Sequence, residues 1–370
     1  MLTSGLLLLV AILAVSYANG ANDTFKGVAT LYGSGISSYK VALCWAVVTT
    51  LAGSLVAAVF AQDLVSAFSG KGLVPTAVLA DKGFMIAAAF GAAFTVFAAA
   101  LLGIPISTTH SLIGALAGAG LMASESSLNF SALGGGFLLP LALSPFLSVM
   151  LVMGLHPVFA WLSRRSGIGQ SGCVCLADDA IVSSSGGALV SGRSVSIVTG
   201  DASECTEEAL QPVRALVRAE VTPALRAIHF LSAGAVSFAR GTNDAPKIVG
   251  VALAAQAVDL QTSTVLIALA MAAGGLMHSR RIAQTLATRI LPIHEAEGAL
   301  ANTVTSGLVV SASLAGLPVS TTHVSVGSLF GLAATKGGAD WRVISMIVSS
   351  WLLTLPMALA ASAVIYLAIH

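Results

Sequence analysis

Charge is what this sequence has least of: Asp, Glu, Lys and Arg make up 9% of its 370 residues, where a soluble domain carries about a quarter. Hydrophobic residues make up 56% and glycine is abundant, with a mean hydropathy of +0.93. Such a chain is not an ordinary soluble domain but a membrane protein that crosses the bilayer several times. The net charge of +1 leaves no basic face for nucleic acid. Four cysteines are too few and too scattered for a disulfide framework. Cys173, Cys175 and Cys205 share one hydrophilic segment, but their spacing and the want of a nearby histidine do not complete a zinc shell, so they read as free thiols. The first apolar stretch, Leu2 to Ala18, has no basic residues before it, unlike a secretory signal, and reads as a retained span.

Apolar runs long enough to cross a bilayer fall near residues 2–18, 40–60, 84–103, 105–122 and 132–155, and again near 226–239, 262–277, 300–316, 318–335 and 343–369. Several are short and interrupted by Gly or Pro at matching places, the mark of broken or re-entrant helices. The expected fold is an all-α membrane protein of two repeats, residues 1–163 and 225–370, each with about five crossings. An odd number of crossings inverts the second repeat relative to the first.

The basic residues orient this arrangement. With the N-terminus outside, thirteen of the seventeen fall on the inside, and only Lys71, Lys82, Arg240 and Lys247 do not. The positive-inside rule therefore places both termini outside the cell membrane and the central loop in the cytoplasm. That loop, residues 164–224, is rich in Ser and Gly around Ser183-Ser184-Ser185-Gly186-Gly187 and reads as a flexible linker. Its last part, Cys205 to Leu225, has acidic residues first and Arg214 and Arg218 later, as in an amphipathic helix at the membrane face.

Two polar signatures each occur twice, in the same order. Gly20-Ala21-Asn22-Asp23-Thr24-Phe25-Lys26 returns as Gly241-Thr242-Asn243-Asp244-Ala245-Pro246-Lys247, and Pro105-Ile106-Ser107-Thr108-Thr109-His110 returns as Pro318-Val319-Ser320-Thr321-Thr322-His323. Polar groups in a bilayer are costly, and repeated polar sites in a hydrophobic chain point to transport. Hydroxyl residues after a proline and before an apolar run read as helix N-termini, which offer unpaired amides and a positive dipole end to an anion. Two of them from opposed repeats suit a tetrahedral oxyanion held by Ser107, Thr108, Thr109, Ser320, Thr321 and Thr322. The plainer alternative is capping and Ser/Thr packing. His110 and His323 either orient their segments or touch the ligand.

The Asn-Asp pairs follow glycine-containing breaks, where freed carbonyls, an amide oxygen and a carboxylate suit a hard cation. Asp23 and Asp244, with Asn22 and Asn243, are thus candidates for coupling Na+ or H+ to anion movement, and as a metal site they would hold Na+. Lys26 and Lys247 lie three residues on and either pair with the aspartates, replace a cation, contact the anion or snorkel to the interface.

These motifs resemble the inorganic phosphate transporter family, whose hallmark is a Gly-Ala-Asn-Asp element in each of two inverted repeats; the resemblance spans both halves. It implies phosphate as substrate, a cation gradient as driving force, no cofactor beyond the co-transported ion, a homodimer in the lipid bilayer, and a central site lined by the residues just named. Phe25-Lys26, Pro246-Lys247 and Thr242 depart from the family pattern. Lysine in both repeats leaves open sodium coupling, proton coupling or carriage of a metal–phosphate complex.

The alternatives are a sulfate or other oxyanion permease of the same fold, a passive anion channel, and enzymes. An intramembrane aspartyl protease built on Asp23 and Asp244 would leave both hydroxyl signatures unexplained. A hydrolase built on Ser107 and His110 lacks an acidic orienter.

Overall fold

Apolar side chains cover the outside of the helices as well as their packed faces. Val48, Leu102, Phe146 and Leu352 are 58%, 73%, 70% and 75% exposed, a distribution that suits lipid rather than water. The computed structural model describes residues 2–123, 128–166, 172–185, 188–201, 218–220, 223–254, 259–290, 293–337 and 339–370. They divide into a larger unit, Met1–His156 with His229–His370, and a smaller one, Pro157–Ile228.

The larger unit is all-helical. Its first half contains α1 (Leu2–Asp23), a 3-10 turn (Thr24–Gly27), α2 (Ala29–Gly33), α3 (Tyr39–Phe60), α4 (Gln62–Ala67), α5 (Thr76–Leu79), α6 (Lys82–Leu102), α7 (Thr108–Ala123) and, through a π-helical segment (Ala132–Leu138), α8 (Leu139–Ser166). The second half contains α9 (Pro223–Ala254), α10 (Leu260–His278), α11 (Arg280–Thr288), α12 (Glu295–Leu314), α13 (Thr321–Lys336) and α14 (Trp341–Ile369). All ten expected apolar runs fall on helices of this set. Among the described residues, six spans are long and apolar enough to cross a membrane: Ser4–Gly27, Tyr39–Phe60, Lys82–Leu102, Ala132–Trp161, Leu260–His278 and Trp341–Ile369. Helices α7 and α13, of 16 residues each, reach about 24 Å, short of the roughly 30 Å hydrocarbon core.

The helices interlock across the two halves. A Cβ at Gly20 of α1 would run into the Met271 carbonyl of α10, and one at Gly274 of α10 would run into the Tyr17 carbonyl of α1. The same crossing recurs between α9 and α3, where Gly241 faces the Thr50 carbonyl and Gly53 faces the Phe238 carbonyl. Each repeat therefore packs its first helix on the second helix of the other, and only hydrogen on those α-carbons lets the backbones come so close. Further along, α7 lies against α14 at Gly114, and α13 lies against α8 at Gly327.

Two expectations need correction. Helix α9 runs unbroken through Asn243-Asp244 and carries Pro246 inside it; only the first Asn-Asp pair ends its helix, at the 3-10 turn. In the smaller unit, β1 (Gly172–Ser185) pairs antiparallel with β2 (Ala188–Asp201) and with β3 (Arg218–Glu220), in the order β2-β1-β3. This part of the linker is therefore structured. The sequence signal was there: Gly186-Gly187 separates two stretches that contain β-branched residues, and such a pair favours a two-residue hairpin loop. Most of the expected amphipathic helix lies outside the described residues, and within it residues 218–220 form the short strand β3.

Candidate functional site

Two extended segments, one before α7 and one before α13, form the frame of the site. Helix α6 ends at Gly103, whose φ of 73° is left-handed, and the N–H of Ile104 donates to the Ala99 carbonyl at 2.9 Å. Helix α12 ends the same way at Gly316 (φ 66°), with the N–H of Leu317 donating to the Ala312 carbonyl at 2.9 Å. These are Schellman-type stops, and they release the chain into a non-helical run before the next helix begins. Ser107 and Ser320 then cap the new helices, accepting from the His110 and His323 amides at 3.1 and 3.3 Å. Their first job is thus local capping; each hydroxyl hydrogen is not consumed by the cap. The asparagines of the other signature hold the runs in place. Asn22 donates to the Ile104 carbonyl at 3.0 Å and accepts from the Ile106 amide at 3.2 Å, while Asn243 donates to the Val319 carbonyl at 3.2 Å.

The charges meet inside this frame, all of them buried. Asp23 accepts from Asn19 and from Thr108, each at 2.9 Å, through Oδ2, and from Lys26 through Oδ1. Asp244 accepts from Asn19 at 3.2 Å and from Asn243 at 3.0 Å, with Arg240 Nε and Lys247 Nζ at 3.5 and 3.7 Å as ion partners. The Asn19 amide thus bridges the two carboxylates. Its oxygen accepts from Arg240 Nη2 at 2.7 Å, while Arg240 Nη1 donates to Thr24 at 3.1 Å and Thr50 at 3.3 Å.

The lysines close the site reciprocally. Lys26 donates to the Ile106 carbonyl of its own repeat at 2.7 Å and to Thr322 of the other; Lys247 donates to the Val319 carbonyl of its own repeat at 2.6 Å and to Thr109 of the other at 2.8 Å. Thr322 in turn donates to the Ile106 carbonyl at 2.9 Å, and Thr109 to the Val319 carbonyl at 3.3 Å. The carbonyls expected from breaks at the Asn-Asp pairs are supplied instead by the Pro-x-Ser-Thr-Thr-His segments. Thr321, the counterpart of Thr108, is buried with the rest.

His110 and His323 pack ring to ring with centroids 4.6 Å apart, and His323 lies 4.1 Å from the Trp351 ring. They stand one turn into α7 and α13, beyond the hydroxyls. Among the described residues no group of three or more His, Cys, Asp or Glu side chains converges as it would on a metal ion.

All the residues singled out from the sequence are therefore brought together or stand beside the site. Asn19 and Arg240 were missed, although they occupy the same place, immediately before the glycine, in the two Asn-Asp signatures. A polar residue there in both copies was the available signal. The orientation count also misread three charges: Lys26, Arg240 and Lys247 are buried at the centre and testify to neither side of the membrane.

A small polar cavity lies beside this centre, among buried side chains. It is lined by Lys26, Thr30, Asn302, Thr305 and Ser325 among apolar neighbours. The positions in register in the other repeat, Val251, Ala89, Ala92 and Leu112, are apolar and buried in a packed core.

Comparison with known proteins agrees with this arrangement. The sequence model of the phosphate transporter family matches residues 19–362. A probable low-affinity inorganic phosphate transporter of Mycobacterium bovis is 29% identical over 99% of this chain and 77% of its own length. One from Bacillus subtilis is 24% identical over 98% of this chain and 96% of its own. Among solved structures, one described as the sodium-dependent phosphate transporter superposes with a TM-score of 0.76 over 99% of both chains at 19% identity, which establishes the shared fold. Family and relatives are transporters rather than enzymes, and by the match over most of its length this chain belongs to the phosphate transporter family.

Proposed function

We propose that the chain is a cation-coupled symporter that imports inorganic phosphate by alternating access. The observation that carries the reading is the meeting of two hydroxyl-bearing helix starts beside three buried cations and two buried carboxylates. Helix N-termini and hydroxyls offer donors to an oxyanion, and the cations offset the cost of taking its charge out of water. Phosphate is placed by Thr109 and Thr322 with Lys26 and Lys247, beside Ser107, Thr108, Ser320, Thr321, Asn22 and Asn243. Asp23 and Asp244 are the groups at which the coupling cation acts. The names of the relatives support phosphate as the substrate.

The reciprocal contacts support two repeats related by a pseudo-two-fold axis, since residue i of one meets residue j of the other and the reverse. An odd number of crossings per repeat, as expected from the sequence, would put that axis in the membrane plane. A polar cavity beside the centre in one repeat and an apolar core at the matching place in the other suit a carrier whose repeats exchange these roles between two states. With the three buried charges set aside, twelve of the fourteen remaining basic residues fall inside when both termini lie outside and the central segment is cytoplasmic. Assembly as a homodimer belongs to the same proposal.

The test is uptake of labelled phosphate into proteoliposomes under a sodium gradient or a proton gradient imposed separately, with excess sulfate as competitor. Accumulation above equilibrium under either gradient, resistant to sulfate, is the expected result. Sulfate uptake in place of phosphate would reassign the substrate, and transport indifferent to both gradients would make the protein a channel or exchanger.

A further inference from the structure

The lysine of each Asn-Asp signature sits in a shell of oxygens of the kind that holds a small hard cation. Around Lys26 Nζ stand the Asn22 amide oxygen at 2.8 Å, the Ile106 carbonyl at 2.7 Å, an Asp23 carboxylate oxygen and the Thr322 hydroxyl. Thr322 gives its own hydrogen to the Ile106 carbonyl, so it meets Lys26 as an acceptor. Carbonyl, amide, hydroxyl and carboxylate oxygens are the ligands a sodium or calcium ion takes. Around Lys247 Nζ stand the Val319 carbonyl at 2.6 Å and the Thr109 hydroxyl at 2.8 Å, with an Asp244 carboxylate oxygen farther out at 3.7 Å. Thr109 likewise gives its hydrogen to the Val319 carbonyl. Acceptors alone surround each nitrogen, which suits an ammonium with three donors and no lone pair.

Charge argues the same way. Among the described residues, Lys26, Arg240 and Lys247 face Asp23 and Asp244 in the buried centre, which leaves an excess of one positive charge. A sodium ion entering beside Asp23 or Asp244 would meet an ammonium already paired with that carboxylate and would add to the excess. Buried charges are tolerated when paired, and an anion is the ligand that balances this excess.

We infer that Lys26 and Lys247 are resident counter-cations: their ammonium groups occupy the two oxygen shells where a transported sodium ion would sit, so that the chain binds its oxyanion without sodium. The inference rests on the phosphate-transport reading for the identity of that oxyanion, and it narrows the coupling cation of that reading to the proton. It also gives the two lysines a purpose that pairing with the aspartates alone does not require, since each also reaches a carbonyl and a threonine of the frame.

The experiment measures binding of labelled sodium to the purified protein, and the effect of replacing sodium by choline on phosphate uptake and on thermal stability. Coupled ligands change each other's affinity by about 5–150-fold; the wild-type protein is expected to show less than about a twofold sodium effect, and no saturable sodium binding. Lys26→Ala and Lys247→Ala empty one shell each and leave a carboxylate short of its partner. Both should gain saturable sodium binding and melt at temperatures that rise with sodium but not with choline. Lys26→Gln, which fills the shell with a neutral side chain, should gain neither. Saturable sodium binding to wild type, or a sodium effect of five-fold or more on its phosphate affinity, overturns the inference. So does a recovered alanine variant that takes up no sodium, and the wild-type result decides alone if neither variant folds. Failure of the phosphate reading shows separately, as absence of phosphate uptake under every gradient, and leaves the sodium-binding result standing.

Discussion

Arg240 donates through Nη2 to the side-chain oxygen of Asn19 at 2.7 Å, so the residue before the glycine of one signature is bonded to the residue before the glycine of the other. The pair sits where the two repeats meet, and through Asn19 it reaches both carboxylates. Arg240→Ala removes a buried charge from a network that contains two aspartates. A loss of about 3–5 kcal/mol in stability is expected from breaking such a pair on one side, read as a fall in melting temperature together with loss of uptake. Arg240→Lys keeps the charge but not the fork that bonds Asn19, Thr24 and Thr50 together. It should fold and transport poorly, with kcat reduced; wild-type kinetics in Arg240→Lys would remove the fork from the mechanism.

Asp23→Asn and Asp244→Asn should separate coupling from binding. Each leaves a neutral group of the same shape, so the frame made by Asn22, Asn243 and the two extended segments persists. Gradient-driven accumulation of phosphate should be lost, whereas exchange of labelled for unlabelled phosphate across the bilayer should survive at a lower affinity. If accumulation in either variant matches wild type, that carboxylate does not carry the coupling proton.

The two kinds of hydroxyl should behave differently. Ser107→Ala and Ser320→Ala remove helix caps, each expected to cost about 0.5–2 kcal/mol, seen as a lower melting temperature with a modest change in KM. Thr109→Val and Thr322→Val remove the groups that link lysine to the opposite repeat, and should raise KM for phosphate more than they lower stability. The reverse ranking would move the serines to the ligand and the threonines to the scaffold.

How much of this was legible in advance depended on the kind of signal. The duplicated motifs and hydrophobic runs located the helices and nearly every polar residue of the centre, because a charge inside a bilayer is too costly to be incidental. What stayed hidden needed three dimensions. Asn19 and Arg240 look unrelated until their positions before Gly20 and Gly241 are superposed. Serine at a helix start has one pattern whether it caps or binds, and only the His110 and His323 amides show which it does. The unbroken path of α9 through Asn243 was masked by Pro246, a residue that usually ends a helix and here is carried within it. The pairing of β1 with β2 was obscured by the serine and glycine content of this segment, which reads equally as linker.

The glycine crossings make a stability prediction independent of transport. Gly20→Leu and Gly241→Leu would drive a side chain into the backbone of α10 or α3, a clash that no rotamer relieves. Both should abolish folded protein, and because the two crossings are equivalent they should do so to a similar degree. Gly5→Leu, on the same helix as Gly20 with open space around it, is the control and should melt within a degree or two of wild type, since surface changes usually stay within about 0.5 kcal/mol. Normal folding of either crossing variant would mean that the helices do not meet there.

Access to the centre is the last point that a measurement can reach. The cavity beside it is polar along Thr30, Asn302, Thr305 and Ser325, while the residues in register with them are alanine, leucine and valine in an apolar core. In a background with all four cysteines, the exposed Cys44 together with Cys173, Cys175 and Cys205, replaced by serine, Asn302→Cys should react with a hydrophilic thiol reagent, and phosphate should slow the reaction by occupying the site beside this cavity. Ala89→Cys should be inert in the same state. If the repeats exchange roles during transport, conditions that favour the opposite state should reverse the order, with Ala89→Cys becoming reactive and Asn302→Cys protected. Equal labelling of both under all conditions would describe a continuous pore, and with it a channel in place of alternating access.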